Sequence, residues 1–257
     1  MLESKIVQKF GNGGHIILPK EYIGRRIKFI AETKTFSQIK SEIIDILGPY
    51  LENIWGVYLY GSYARNEQTL QSDIDILVIT DKKIKIEHEE YEILSLTEEE
   101  IKKTLETNAI FILPIIKDAK TIINKSLLEK LTKEKSNIHK SIKWFKDSTK
   151  DSIKSTKELI EMDKLDGEYI SSYSVIYSLM LRLRGIYLIK GILNNKNFSN
   201  KDFKEWLLKY ISEKELNNMY EIYQKIRDDK KIKDIRIKIK SAIYLLNILE
   251  MEINKIE

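Results

Sequence analysis

Residues 61–78 read GSYARNEQTLQSDIDILV: a Gly-Ser pair, ten intervening residues, then two aspartates flanking one isoleucine at the head of an aliphatic run. Immediately upstream, Ile54–Tyr60 (IWGVYLY) has the composition of a buried strand, and Gly61 interrupts it, so the backbone can turn there without a Cβ clash and enter a short helix. A helix start presents unpaired N–H groups to phosphate. Ser62 adds a hydroxyl at that turn, and Arg65, one helical turn on, could bring a guanidinium to the same anion. Ser72, just before the first aspartate, is counted with this phosphate-binding set. Asp73 and Asp75 precede Ile76-Leu77-Val78-Ile79, and the period-two geometry of a strand predicts both carboxylates on one face. Two carboxylates so placed repel each other unless a cation lies between them. Hard oxygen ligands on a rigid strand beside a phosphate-binding turn suit Mg²⁺, which takes one or two carboxylates and completes its shell with substrate phosphates.

At Gly61-Ser62 and Asp73-Ile74-Asp75 the chain resembles the nucleotidyltransferase superfamily that includes DNA polymerase beta, in particular its small stand-alone prokaryotic members. The family pattern is a Gly-Ser turn, a spacer of about ten residues and Asp-x-Asp flanked by aliphatics. The resemblance implies transfer of a nucleoside monophosphate, with ATP the expected donor, to an acceptor hydroxyl with release of pyrophosphate. It implies two Mg²⁺ ions held by Asp73, Asp75 and a third carboxylate on a later strand. Glu92, in YEILSLT, is the candidate third ligand and catalytic carboxylate, with Glu87, Glu89 and Glu90 as competitors. Gly61, Ser62 and Arg65 would cradle the β and γ phosphates. The acceptor implied is a protein, an RNA or a small hydroxylated molecule.

Working outward, Thr35-Phe36-Ser37-Gln38 has capping-box spacing, and Ile39, Ile43, Ile44 and Leu47 recur at helical intervals up to Gly48-Pro49. Thr97-Glu98-Glu99-Glu100 repeats the capping signature and predicts a helix to about Glu106. The apolar segment Ala109–Ile116 surrounds Pro114 and is expected to pack at the sheet edge before a turn near Asp118. The expected order of this part is helix, strand, helix, strand, strand, helix.

From Lys125 the chain reads as helix almost throughout, with no proline and three glycines. Helices are predicted over 127–162, 169–190, 202–210, 213–227 and 233–256, the fourth opened by a capping box at Ser212–Glu215. The stretch SSYSVIYSLM (171–180), with Lys190-Gly191-Ile192 after it, looks like the HEPN helical family. Active HEPN ribonucleases carry an Arg followed four to six residues later by His. No such pair occurs here, where the histidines are His15, His88 and His139, so the resemblance implies an inactive bundle for acceptor binding or dimerisation. Tyr169, Tyr173, Tyr177 and Tyr187 near helical spacing read as core packing, with base stacking as the alternative.

The first thirty residues form a separate segment. KIVQKF, Gly11–Gly14, HIILPKEYIG and RRIKFI read as short strands joined by a Gly-rich turn and a Pro-started turn. Asn12, Gly13, Pro19, Lys20 and Glu21 resemble the swapped hairpin of AbrB-like regulators. Lys20, Arg25, Arg26 and Lys28 could meet nucleic-acid phosphates, although a solvated hairpin is the reading preferred over DNA binding.

The fold class expected is therefore α+β, a small mixed-sheet nucleotidyltransferase domain followed by an all-α helical bundle, with an N-terminal β-hairpin segment. The divisions are 1–32, 33–124 and 125–257. The 257 residues include no cysteine, which excludes disulfides, thiol catalysis and Cys-based zinc sites. No apolar run approaches a membrane span and the start MLESKIVQKF lacks a signal-peptide core, so a cytoplasmic location is expected. P-loop, nucleophile-elbow and dinucleotide fingerprints are absent. The alternative function is an antitoxin-like or regulatory protein that binds nucleotide or nucleic acid without turnover. A homodimer through the bundle or hairpin is the oligomer considered.

Overall fold

The structure is a computed structural model that describes residues 5–233 and 235–256. These fall into two compact units divided between Thr33 and Lys34. In the first, β1 (Gln8–Phe10) and β2 (Gly13–His15) pair antiparallel. Gly11 turns the hairpin at φ +57°, and Pro19 accepts from the Tyr22 N–H at 3.0 Å in a single 3-10 turn. The stretch RRIKFI forms no strand. Its branched and aromatic residues favour extended backbone, but a strand needs a paired neighbour, and Ile27, Phe29 and Ile30 stay exposed.

The second unit opens with α1 (Phe36–Leu47), where Thr35 and Gln38 form the expected reciprocal capping box. Ile39, Ile43 and Leu47 are completely buried, each removal from water being worth about 1.5–3 kcal/mol. Next come β3 (Ile54–Tyr60), the single turn α2 (Gly61–Ala64), β4 (Ile74–Thr80), β5 (Tyr91–Thr97) and α3 (Glu98–Thr107), the last again with its capping box. After α4 (Ala109–Asp118), β6 (Lys120–Ile123) completes a four-stranded sheet in the order β5-β4-β3-β6. The sheet is mixed: β4 and β5 run parallel, whereas β3 is antiparallel to both β4 and β6.

Two features of this region depart from the sequence reading. The Ala109–Ile116 segment is a helix, with Pro114 inside it. A proline there costs about 3 kcal/mol or more. Burial of Ala109, Ile110, Ile112 and Ile116 opposes that cost. The strand β6 lies outside the strands that the sequence predicts, being only four residues long, and it is held by pairing to β3.

One face of the sheet packs on α1 through Val57, Leu59, Ile74, Ile76 and Val78. The other, carrying Tyr58, Leu77 and Ile79, packs on α3, α4 and α5 (Lys125–Leu131). The predicted helix over 127–162 is broken between α5 and α6 (Ile138–Asp166), where Asn137 caps the second piece by accepting from the Lys140 N–H at 3.1 Å. The bundle continues with α7 (Tyr173–Leu193), α8 (Asn200–Leu207), α9 (Glu213–Arg227) and α10 (Ile239–Asn254). The helix expected from 169 starts four residues later, because Tyr169 pairs as a β-bridge with Lys238. That bridge also delays α10 to Ile239. At α9, Ser212 caps the Glu215 N–H, but the Glu215 carboxylate turns to Ser212 Oγ and Ser241 Oγ and does not close the box. One core joins α6–α10 and includes Ile110 of α4, so the sheet layer and the bundle are packed together within this unit. Tyr173, Tyr177 and Tyr187 pack against it, Tyr177 stacked on Tyr223 at 5.5 Å. No helix among the described residues is long and apolar enough to cross a membrane.

Candidate active site

The Gly61 turn, the start of β4 and the start of β5 open into one cleft of about 920 Å³, closed on its far side by α4, α6, α7, α8 and α9. Asp75 and Glu92 are register partners on the parallel pair β4–β5. Strand alternation puts them on the face that Leu77, Ile79, Leu94 and Leu96 share, toward α3 and α4. Asp73, two residues before Asp75, is exposed at the mouth of the cleft. All three sequence-predicted carboxylates therefore line a single space, whereas Glu87, Glu89 and Glu90 do not line it. Among the described residues, no three His, Asp or Glu side chains converge closely enough to cage a metal by themselves.

Gly61 has φ +72°, and a Cβ built on it would lie 1.8 Å from Asp75 Oδ2. The turn and the aspartate are thus in direct contact, which explains the glycine twice over, by conformation and by space. Ser62 lines the cleft beside it. Ser72 also lines it, with its hydroxyl accepting from the Thr69 N–H at 2.9 Å to close the loop that carries Asp73. Arg65 lines the cleft too, but its guanidinium is already engaged: Nε donates to Glu67 at 3.0 Å and Nη1 to Asp118 at 3.3 Å. Glu67 in turn accepts from Ser199 Oγ at 2.6 Å and from the Asn200 N–H at 3.1 Å, tying the turn to the start of α8. Burial would raise the Glu67 carboxyl, yet the hydrogen bonds from Ser199, Arg65 and Asn200 hold it below its ordinary value. Burial wins at Asp118, whose carboxyl lies above the usual range despite Arg65.

Burial, then the charges of Glu92 and Asp73, push Asp75 from 3.8 up to about 7, against the opposing fields of Arg65 and Arg227. Burial and the same carboxylates raise the Tyr60 phenol. Because Asp75 keeps its proton longer when folded, metal-free stability falls as pH rises from about 4 to about 7. Above that range the ionised carboxylate costs on the order of 4 kcal/mol at most. Asp75→Asn should therefore raise the melting temperature at pH 8 in a chelator by several degrees. At pH 3, where both states are protonated, it should leave the melting temperature nearly unchanged. Thermal melts across that range check the expectation.

The bundle supplies a wall that the sequence reading did not assemble. Lys225 pairs with Glu221 at 2.6 Å, and Arg227 and Lys230 with Asp228 at 2.7 and 3.5 Å. Arg182 and Arg184 of α7 and Lys204 of α8 line the same cleft and form no ion pair with any described carboxylate. Each instead lies over an aromatic ring: Phe145 at 5.7 Å, Phe198 at 4.7 Å and Tyr220 at 3.9 Å. Burial lowers both the Arg182 guanidinium and the Lys204 ammonium. The available signal was the pair of arginines in the apolar run LMLRLRGIYL, since a charge inside such a helix must face a partner or a cleft.

Residues 41–142 match the family model described as polymerase beta, nucleotidyltransferase. Among solved structures, a spectinomycin adenyltransferase from Enterococcus faecialis, determined with ATP and spectinomycin, is similar at 16% identity and a TM-score of 0.44, over 86% of this chain and 100% of that one. A nucleotidyltransferase-like protein from Exiguobacterium sibiricum is similar at 13% identity and a TM-score of 0.38, over 84% of this chain and 74% of that one. No curated protein matches the chain.

Proposed function

We propose that this protein moves a nucleoside monophosphate, AMP from ATP, to an acceptor hydroxyl with release of pyrophosphate. The observation that carries the reading is one cleft lined together by Asp73, Asp75 and Glu92, by the Gly61 turn, and by Arg184 and Lys204, which pair with no described carboxylate. The family match over 41–142 supports the same class of reaction.

The carboxylates fit a hard divalent cation, because burial and the neighbouring charges of Glu92 and Asp73 raise the Asp75 carboxyl to about 7 despite Arg65 and Arg227, and a dication among them would offset that cost. Asp73, Asp75 and Glu92 would hold Mg²⁺, two ions in this reading, with substrate phosphate oxygens completing the shell that these side chains do not close by themselves, and when bound it would supply Lewis-acid stabilisation of charge on the phosphates. Gly61, Ser62 and Ser72 form the floor for the polyphosphate. Arg65 holds that turn in place through Glu67 and Asp118. Arg184 and Lys204, partly buried and paired with no described carboxylate, bring the charge that the β and γ phosphates require. In the transfer, the acceptor oxygen forms a bond to the α-phosphorus and the bond from that phosphorus to the β-phosphate oxygen breaks. The electron pair leaves on pyrophosphate, and the acceptor proton passes to Glu92.

Segment 33–124 is the catalytic part and 125–257 an inactive HEPN-like helical part that closes over the nucleotide. Segment 1–32 is an AbrB-like appendage. The expected location is the cytoplasm.

Calorimetric titration with the four ribonucleoside triphosphates, with and without Mg²⁺, tests the reading. ATP should bind only with Mg²⁺, and an Arg184→Ala/Lys204→Ala variant should lose at least tenfold in affinity. Glu92→Gln should bind ATP yet release little pyrophosphate. Absence of binding under every condition would leave a regulatory protein acting through partner capture.

A further inference from the structure

The cleft is divided by chemistry. Toward α8 and α9 it is cationic and matches a polyphosphate. Toward α4, α6 and the first half of α7 its wall is apolar, with Phe111, Trp144 and Leu181 exposed at 59%, 51% and 40%. Large apolar side chains left in water inside a cleft mark a surface awaiting a ligand. Among the described residues that α4, α6 and the first half of α7 contribute to the lining, the one charged side chain is Arg182. Its Nη1 donates to Ser148 Oγ at 2.9 Å, its Nε is shut from solvent without a hydrogen-bond partner, and no described carboxylate pairs with it. Its pKa is moved by burial alone, the behaviour of a cation with no acid beside it. A partly desolvated guanidinium without a counter-ion favours an incoming anion and opposes a second cation. At about 920 Å³, the whole cleft lies at the upper end of the roughly 300–1,000 Å³ typical of small-molecule sites. That is room for two small molecules.

Resting on the transfer reading above, we propose that the acceptor is a small hydroxylated molecule with an aromatic or apolar body and a carboxylate or phosphate group, seated on Phe111, Trp144 and Leu181 with its anion on Arg182. Beyond Asp75 and Glu92 at the reacting end, a polycationic acceptor meets no carboxylate from α4, α6 or the first half of α7 and is disfavoured.

Three probes share a phenol and differ in tail charge: 4-hydroxyphenylacetate, 4-hydroxyphenylethanol and tyramine. Titrated into the 257-residue protein with Mg²⁺ and ATP analogue present, the carboxylate should bind at least tenfold more tightly than the amine. That preference should vanish in Arg182→Gln and return in Arg182→Lys. Trp144→Ala, at a half-exposed position, should weaken all three probes alike. Equal binding of the three, tighter binding of tyramine, or no binding of any probe overturns the inference. If the charge preference is present but ATP neither binds nor yields pyrophosphate, the transfer reading fails and Arg182 remains an anion site. If ATP binds and turns over without the preference, the acceptor inference alone fails.

Discussion

An Asp73→Asn/Asp75→Asn double variant should remain folded, melt above the wild type at pH 8 without metal, and release no pyrophosphate from ATP in the presence of Mg²⁺. The first two outcomes follow from the electrostatics of the cleft itself. Burial, and then the charges of Glu92 and Asp73, oppose ionisation of Asp75, whose carboxyl is raised to about 7 as a result. Removing both charges relieves that repulsion. The loss of turnover follows from the same fact read in reverse, because oxygen donors that are costly when alone are favourable once a dication lies between them. Below pH 7 a metal must displace the Asp75 proton, so wild-type Mg²⁺ affinity should rise by up to about tenfold per pH unit and level off above neutrality. Calorimetry in two buffers of different ionisation enthalpy measures that proton release. Undiminished turnover in the double variant would remove Asp73 and Asp75 from the chemistry.

Gly61→Ala should be nearly as damaging, though it adds a single methyl group. At φ +72° any L side chain is strained, by about 1–3 kcal/mol. The new Cβ would also stand 1.8 Å from Asp75 Oδ2, so the carboxylate must leave its place on β4. We expect a drop in melting temperature of several degrees and at least a hundredfold loss in kcat/KM. A displacement of about 1 Å is enough to cost two orders of magnitude in a positioned site. Gly48→Ala is the matched control. Gly48 has no positive φ and a Cβ added there would meet nothing within 4 Å beyond its chain neighbours, so that exchange, at the cost of a helical residue before Pro49, should leave kcat/KM unchanged. If both glycine variants behave alike, the contact between turn and aspartate has no functional weight.

Much of this could be read along the chain because it is local. The capping boxes at Thr35 and Thr97 depend on residues three apart, and both form as their spacing demands. The break at Gly61 and the alternation of Asp73 and Asp75 are likewise properties of a few consecutive residues. Where reading failed, a distant partner intervened. Ala109–Asp118 is helical around Pro114 because the sheet and bundle bury it from two sides. Lys120–Ile123 is a strand because β3 offers it an edge. Helices α7 and α10 start late because Tyr169 and Lys238, sixty-nine positions apart, bridge each other.

The site divides in the same way. Sequence alone determined the small mixed sheet followed by a helical bundle, the glycine turn and the two aspartates, since strand and helix periods fix which side chains share a face over short spans. Tertiary structure alone decided that Glu92, and not its acidic neighbours, lines the cleft opposite Asp75, because parallel register between β4 and β5 is set by packing across the sheet. It also decided that Arg65 is occupied by Glu67 and Asp118 while Arg182, Arg184 and Lys204 are left without described carboxylates. Charge compensation is a matter of distance in space, and no spacing along the chain encodes it.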